Sequence, residues 1–273
     1  MTETSIRLWF SELYRNLTDD GLLDIMIDPS RIFTADEASV QLCPKSSKVI
    51  GMRGMRNCYE ISPGDEKSNL TFLATISATG EIAYPTVLYP YIRLPKDIKE
   101  SFPDDFCLLK DESGWMTSDT FTSFITDFFD PWLIKKNIQK PVLLFLDGHR
   151  SHMTLQFSAK SEDRGIIIYR LPPNSTHILQ PADVGFFKSL KSYFRQICYN
   201  KQRDCPDNNV KRKDVAPRLK DALQRIKPQS IINSFRKSGL FPLNVSRQKK
   251  SKMLQNLLVQ RQLMTSSSQK KNT

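Results

Sequence analysis

The stretch Val142-Leu-Leu-Phe-Leu-Asp147 places a carboxylate directly after five consecutive apolar residues. A short run that is apolar at every position is typical of a central strand with both faces covered. Because open α/β sheets bind their ligands at the carboxyl ends of such strands, we expect Asp147 to lie at the edge of a ligand-binding site. A plain turn at Asp147-Gly148 is the alternative structural interpretation.

The segments around this strand alternate between helical and extended periods. Residues 117–137 repeat Phe, Ile and Trp at every third or fourth position, which predicts a helix that is kinked at Pro131. After the strand, the pattern predicts a helix from Ser151 and a second buried strand over residues 165–169. This order of helix, strand, helix and strand implies parallel pairing.

The N-terminal third predicts a different arrangement. An amphipathic helix is expected over residues 6–23, and strands are expected over 32–35, 49–53, 70–77 and 85–89. The short turns between these strands favour antiparallel pairing. The predicted fold class is therefore α/β, a mixed sheet with antiparallel strands first and parallel α/β units afterwards, flanked by helices.

The chain is expected to divide into four parts. A helical lead-in covers residues 1–30, the core covers 31–200, a C-terminal helical part covers 201–246, and a basic polar tail, expected to be partly disordered, covers 247–273. Gly239 is the predicted stop of the last helix.

Charge is distributed unevenly along the 273 residues, whose net charge is +11. Residues 1–140 carry 15 basic and 21 acidic side chains, whereas residues 184–273 carry 21 basic and 4 acidic ones. A basic segment of this kind points to a polyanion such as DNA as the partner. A solvated basic surface without a dedicated partner is the alternative.

Membrane and secretory classes are not expected, because no apolar run approaches the roughly 20 residues needed to cross a bilayer and no secretory signal is visible. The five cysteines form no C-x-x-C pair, which predicts buried reduced thiols and not a disulfide framework or a zinc knot.

Two further carboxylates, like Asp147, lie at the ends of predicted secondary-structure elements. Asp36 follows a short apolar run, although the sequence leaves open whether Asp36 or its neighbour Glu37 faces the site. Asp183 precedes a predicted helix and is expected on its inward stripe. Three carboxylates on three elements could hold one or two Mg²⁺ ions for phosphodiester hydrolysis or transfer. Helix-dipole stabilisation of Asp183 and a purely structural role for Asp36 are the alternatives.

The three histidines, His149, His152 and His177, offer another metal chemistry. Together with a carboxylate they could form a catalytic zinc site, but their spacing matches no zinc pattern. Hydrogen bonding around the carboxylates is the favoured interpretation. Nucleotide-binding and serine-hydrolase motifs are missing from the sequence.

Four ordered blocks resemble the DDE superfamily endonuclease domain, most closely that of pogo, Tigger and jerky type transposases, to which centromere protein B is related. The blocks are Phe33-Thr-Ala-Asp-Glu37, Phe145-Leu-Asp-Gly-His-Arg-Ser-His152, Leu171-Pro-Pro-Asn-Ser-Thr-His-Ile-Leu-Gln-Pro-Ala-Asp-Val-Gly185 and Ser234-Phe-Arg-Lys-Ser-Gly-Leu-Phe-Pro-Leu243.

This resemblance implies a ribonuclease H-like fold, Mg²⁺ or Mn²⁺ as cofactor with two ions bound, and DNA strand cleavage and transfer in the nucleus. It assigns Asp36, Asp147 and Asp183 as the catalytic and metal-binding residues. DNA is the implied partner, with a homodimer in a synaptic complex. Lys188, Lys191 and Arg195 are candidates for contacts to the DNA backbone, with a solvated helix face as the alternative.

The sequence departs from the family pattern around Asp36, where Thr34 replaces an asparagine and Ala38-Ser39 replace Thr-Gly. Relatives in this branch usually carry N-terminal helix-turn-helix domains, whereas this chain begins almost directly with the core. A transposase-derived protein that binds DNA or protein without cutting is therefore the alternative function. A metal phosphoesterase for small substrates is a third, less suited to the basic C-terminal segment.

Overall fold

The computed structural model describes residues 2–42, 69–147, 155–204 and 210–243. Within these ranges six strands form one mixed sheet, in the order β4-β3-β2-β1-β5-β6. The strands are β1 (Ile32–Gln41), β2 (Asn69–Ser77), β3 (Ile82–Tyr89), β4 (Cys107–Lys110), β5 (Val142–Leu146) and β6 (Ile166–Arg170).

Helices cover both faces of this sheet. They are α1 (Glu3–Asp19), α2 (Lys96–Ser101), α3 (Ser118–Ser123), α4 (Asp130–Lys135), α5 (Leu155–Glu162), α6 (Thr176–Leu179), α7 (Phe187–Asp204), α8 (Val215–Gln224) and α9 (Pro228–Ser238). Two π-helical segments, Phe124–Phe129 and Ala182–Phe186, lie between α3 and α4 and before α7. No helix in the described ranges is long and apolar enough to cross a membrane.

Strand direction decides which loops meet at one edge of the sheet. β2 pairs antiparallel with both β1 and β3. β4 pairs parallel with β3, β5 pairs parallel with β1, and β6 pairs parallel with β5. Every strand except β2 therefore points the same way. We call the edge at which β3, β4, β5 and β6 end the carboxyl edge. The predicted mixed sheet is confirmed, although β4 was not predicted.

Two hydrophobic layers hold the sheet between its helices. Phe145 belongs to the layer shared with α1, α7, α8 and α9, and Leu144 belongs to the layer shared with the Phe124–Phe129 segment, α4 and α5. All five side chains of β5 are buried, as the apolar run predicted. Aromatic rings reinforce the second layer, where the centroids of Phe33 and Phe129 are 5.2 Å apart.

Two strands differ from their predicted form. β1 continues to Gln41, well beyond the predicted residues 32–35, because it pairs with β2 along its whole length. Asp36 therefore lies inside a strand and not at its end. β6 is less buried than predicted, with only Ile166 fully covered, because it forms the edge of the sheet.

The helix predicted over residues 117–137 is present in three consecutive pieces. Thr117 caps it, and its hydroxyl accepts a hydrogen bond from the backbone N–H of Thr120 at 3.3 Å. Pro131 lies in the first turn of α4, where the missing N–H is best tolerated, and the π-helical segment immediately precedes α4.

The C-terminal helices pack onto the same layer as α1 and α7. Gly239 ends α9 in a left-handed conformation with φ of 79°, as predicted.

The division of the chain into four parts, with boundaries at residues 30, 200 and 246, stays a prediction. The strand predicted at 49–53 and the tail 247–273 lie outside the described residues.

Cys107 and Cys198 are buried reduced thiols, in line with the prediction, and burial raises the pKa of Cys107 to about 12. Such a thiol is protonated at neutral pH and a poor nucleophile. Cys43, Cys58 and Cys205 lie outside the described residues.

Candidate active site

Asp36 and Asp147 are neighbours across two parallel strands. The last paired residues of β1 and β5 are Ala35 and Leu146, and each is followed directly by one of the two aspartates. Adjacent strands lie about 4.8 Å apart. The two carboxylates therefore start from neighbouring backbone positions although 110 residues separate them in the chain.

Both side chains project from the same face of the sheet. Residues two apart in a strand share a face, and Ala38 and Phe145 belong to the layer shared with α1 and α7. Asp36 and Asp147 thus point toward the helices of that layer, and Glu37 points to the opposite face. Asp36 is only 8% exposed. Burying a carboxylate is costly unless a hydrogen-bond donor or a cation satisfies it.

Asp183 lies on the π-helical segment Ala182–Phe186, which precedes α7 on the same side of the sheet. Its side chain is exposed, so the predicted inward stripe with Phe187, Leu190 and Phe194 is wrong for this residue. A π-helical turn holds more residues than an α-helical one, and the α-helical offsets used for the prediction no longer preserve the face.

Electrostatics couple Asp183 to Asp147. Burial of part of its carboxyl group raises the pKa of Asp183 above the usual value, the positive charge of Lys191 lowers this pKa, and the negative charge of Asp147 raises it. The net direction is upward. Two carboxylates that repel each other in this way would be stabilised by a shared cation.

Gln180 ties the Asp183 segment to β1. The fully buried Gln180 side chain donates from Nε2 to the Ala35 carbonyl at 3.2 Å and accepts a hydrogen bond from the Thr34 hydroxyl. Ala35 immediately precedes Asp36. This contact fixes the start of the π-helical segment next to the strand that carries the first carboxylate.

Thr176, on α6, orients the second carboxylate by donating from Oγ1 to Asp147 Oδ2 at 3.3 Å. The sequence reasoning did not identify Thr176 or Gln180. The available signal was a glutamine between two apolar residues, Leu179 and Pro181, three positions before Asp183. A polar residue at such a position is buried only when hydrogen bonds satisfy it.

Carboxylate oxygens are the ligands that Mg²⁺ and Mn²⁺ prefer. The donor chemistry of the three aspartates therefore fits a divalent cation. However, no group of three His, Cys, Asp or Glu side chains able to hold a metal ion occurs in the described part of the chain. The joint ligation of a metal by Asp36, Asp147 and Asp183 stays a prediction.

The zinc alternative involves residues of which only His177 is described, and its side chain is exposed. His149 and His152 lie outside the described residues.

The candidate DNA contacts lie on α7, next to Asp183. Lys188 and Lys191 are exposed, and the Nζ of Lys191 lies 5.9 Å from the centroid of the Phe187 ring. Arg195 is half-buried, and its Nε atom has no hydrogen-bond partner. The charge of Lys191 reaches Asp183, so at least one of the three cations lies close to the carboxylates.

The raised pKa of Asp183 gives a stability prediction. Since folding raises this pKa, the ionised carboxylate lowers the free energy of unfolding at neutral pH. This penalty disappears as the pH falls below the pKa that the carboxyl group has in the unfolded chain. In EDTA at pH 7.5 we expect Asp183→Asn to raise the melting temperature by about 1–2 °C, a small shift because the group is exposed. The gain should shrink toward pH 4. A variant that melts below the wild type at pH 7.5 would contradict the charge argument.

Comparison with known protein families gives one match that covers most of the chain. The family described as DDE superfamily endonuclease matches residues 67–235. Among curated proteins, the MFS-type transporter clz9 of Cochliobolus lunatus is 30% identical over 221 residues, which are 78% of this chain and 23% of that protein. The chain thus spans less than a quarter of the length of this relative.

Among solved structures, the Mos1 mariner paired end complex with Mn resembles this chain with a TM-score of 0.55 and 12% sequence identity. The match covers 85% of this chain and 58% of the Mos1 chain. At this identity the likeness supports the fold alone. It confirms the expected ribonuclease H-like mixed sheet flanked by helices.

Proposed function

This chain belongs to the DDE superfamily endonuclease family, and from that premise we propose that it is the catalytic core of a DNA transposase. Its reaction is divalent-metal-dependent hydrolysis of a phosphodiester, followed by transfer of the freed strand. Asp36, Asp147 and Asp183 are the catalytic residues, as the sequence resemblance also implied.

The observation that carries this proposal is the placement of Asp36 beside Asp147. The register of β1 against β5 brings together two carboxylates from distant parts of the chain, on the face from which the Asp183 segment packs. A purely structural role would not explain why Asp147 lies next to the buried Asp36, because like charges in neighbouring positions destabilise a fold.

Asp36, Asp147 and Asp183 would hold the metal, which we take to be two Mg²⁺ or Mn²⁺ ions. When bound, these ions would activate water for cleavage or a 3′-hydroxyl for strand transfer and would stabilise the leaving oxygen. The hydroxyl of Thr176 keeps the carboxylate of Asp147 in one orientation. Gln180 keeps the Asp183 segment against β1. Such supporting hydrogen bonds matter because ligand geometry must be fixed to within a fraction of an ångström.

The DNA backbone would lie along α7. Lys188, Lys191 and Arg195 lie on this helix, which follows the segment that carries Asp183. The chain from residue 184 to its end carries all of the basic excess. Phosphate contacts of this kind release counterions, so binding should weaken steeply with salt.

A homodimer in a synaptic complex and residence in the nucleus complete the proposal. In strand transfer a freed 3′-hydroxyl attacks a phosphodiester of a second DNA and displaces the 3′-oxygen of that DNA. Two DNA ends that are transferred together must be held side by side, and the Mos1 structure that shares the fold is a paired end complex with Mn. A dimer of this chain would hold two ends in the same manner. Chromosomal DNA, the substrate of such a reaction, lies in the nucleus.

Nicking of a supercoiled plasmid by the purified chain tests the proposal. We expect open-circular product with Mn²⁺ or Mg²⁺ and none with EDTA. Binding of the plasmid without nicking in either metal would contradict a catalytic role. That outcome would instead identify a transposase-derived DNA-binding protein.

A further inference from the structure

The π-helical segment that carries Asp183 approaches α9 closely at Gly185. A Cβ atom placed on Gly185 would lie 3.0 Å from the Cβ of Ser234, which belongs to α9. Carbon atoms in ordinary contact are about 3.5–4.0 Å apart. Alanine at position 185 would therefore have to push the segment and α9 apart by about 0.5 Å.

This close approach explains why glycine occupies position 185. Gly185 lies in a helical segment and, unlike Gly239, has no positive φ. Its backbone conformation is therefore open to alanine, which favours a helix more than glycine does. Ser234 is small and buried, and its hydroxyl donates to the Ile231 carbonyl within α9 at 2.7 Å. The two small residues let the two backbones meet and leave the Ser234 hydroxyl satisfied.

α9 is itself fixed to the rest of the fold. Pro228, its first residue, packs on the turn between β2 and β3, where a Cβ atom on Gly80 would lie 2.7 Å from the Pro228 carbonyl oxygen. Ile231 and Phe235, further along the helix, are buried in the hydrophobic layer that α9 shares with α1 and α7. α9 therefore has little freedom to move away from a larger residue at position 185.

The Asp183 segment is held on both sides of the carboxylate. Gln180 holds its start through hydrogen bonds to β1, and Gly185 packs against α9 at its other end. The Asp183 side chain is exposed, so its position depends on the backbone of the segment. Crowding at Gly185 would be taken up by residues 181–185, and Asp183 is the charged residue among them.

We propose that α9 is a positioning element of the candidate active site, and that the contact between Gly185 and Ser234 sets the distance of Asp183 from Asp147. The consequence for metal binding rests on the proposed function, which makes these two aspartates ligands of one site. Metal ligands must be held within about 0.5 Å of their productive positions. The displacement that a methyl group at position 185 would cause is of this size.

Mn²⁺ binding to the full chain tests this role, measured by the loss of the electron paramagnetic resonance signal of free Mn²⁺. Gly185→Ala should weaken Mn²⁺ binding about 10-fold, a usual loss when the support of a metal ligand is disturbed. Ser234→Gly removes the crowded Cβ, and the next atoms, the Ser234 Cα and the Ser230 carbonyl oxygen, are 3.8 and 3.9 Å from the added methyl group. In the Ser234→Gly background, Gly185→Ala should therefore change the affinity less than about twofold.

The matched control is Ser238→Gly, which changes a buried serine one turn further along α9. Its hydroxyl donates to the Phe235 carbonyl at 2.9 Å, so this change removes the same kind of hydrogen bond and lowers helix propensity as Ser234→Gly does. Ser238→Gly should lower the melting temperature and leave the affinity for Mn²⁺ unchanged. Gly185→Ala should affect the melting temperature less, because the helix propensity of alanine offsets part of the crowding.

A second readout needs no metal. In crystals grown without metal, the distance between the Cα atoms of Asp147 and Asp183 should differ by about 0.5 Å between the wild type and Gly185→Ala. The distance should return to the wild-type value when Ser234→Gly is added.

The inference is overturned if this distance is the same in Gly185→Ala and the wild type, or if Ser234→Gly does not restore it. It is also overturned if the wild type binds Mn²⁺ and Gly185→Ala binds it equally well. Plasmid nicking by the wild type is scored separately. Normal nicking with an unchanged distance would refute the positioning role and leave the proposed function intact. A wild type that neither binds Mn²⁺ nor nicks, together with a distance that shifts and is restored, would support the positioning role and refute the proposed function.

Discussion

Asp147→Asn is expected to lower the rate of metal-dependent plasmid nicking by about 1,000-fold or more. This loss corresponds to about 4 kcal/mol of transition-state stabilisation, since each tenfold change in rate is worth 1.36 kcal/mol. The amide keeps the shape of the carboxylate and can still accept the hydrogen bond from Thr176. It lacks the negative charge that binds a divalent cation. DNA binding without metal should be unchanged or slightly tighter, because a charge that repels phosphate is removed.

The matched control is Asp163→Asn. Asp163 is an exposed aspartate just before β6, and it therefore lies at the edge of the sheet opposite Asp147. This variant should nick plasmid at the wild-type rate. Equal activity in Asp147→Asn and the wild type would exclude Asp147 from the reaction, whereas equal losses in the two variants would point to a general effect of charge.

Gln180→Ala is expected to damage both stability and catalysis. The change removes two hydrogen bonds inside a fully buried contact and leaves a cavity, so we expect a loss of about 2–4 kcal/mol in the free energy of unfolding. The Asp183 segment loses its tether to β1. Nicking should then fall by about 10- to 100-fold even at temperatures where the variant is fully folded, as is usual when a residue that supports a metal ligand is removed.

Chemical denaturation and plasmid nicking at low temperature measure these two effects. Gln224→Ala, a change of an exposed glutamine on α8, serves as the control and should alter neither. A folded Gln180→Ala variant with full nicking activity would show that Gln180 stabilises the fold without positioning Asp183.

The sequence predicted those parts of the site that depend on local pattern. The all-apolar residues before Asp147 are typical of a central strand, and the prediction of β5 was correct to the residue. Asp36 was harder, because its strand is recognisable over four residues but extends over ten. The additional length comes from pairing with β2, a tertiary effect that periodicity does not contain.

The surroundings of Asp183 could not be predicted from α-helical periodicity. The π-helical segment before α7 changes the angle between successive side chains, and it turns Asp183 toward solvent although Phe187 and Leu190 are buried as expected. β4 was missed because its four residues, Cys107–Lys110, are too short to give a clear alternation.

The central claim is that Asp36, Asp147 and Asp183 hold the divalent cations of a DNA-cutting site. Anomalous diffraction from crystals of the chain soaked in Mn²⁺ tests it most directly. The account predicts an anomalous peak bounded by the carboxylates of these three residues, and its loss in crystals of Asp147→Asn. A peak held by other residues, or none at this edge of the sheet at saturating Mn²⁺, would contradict it.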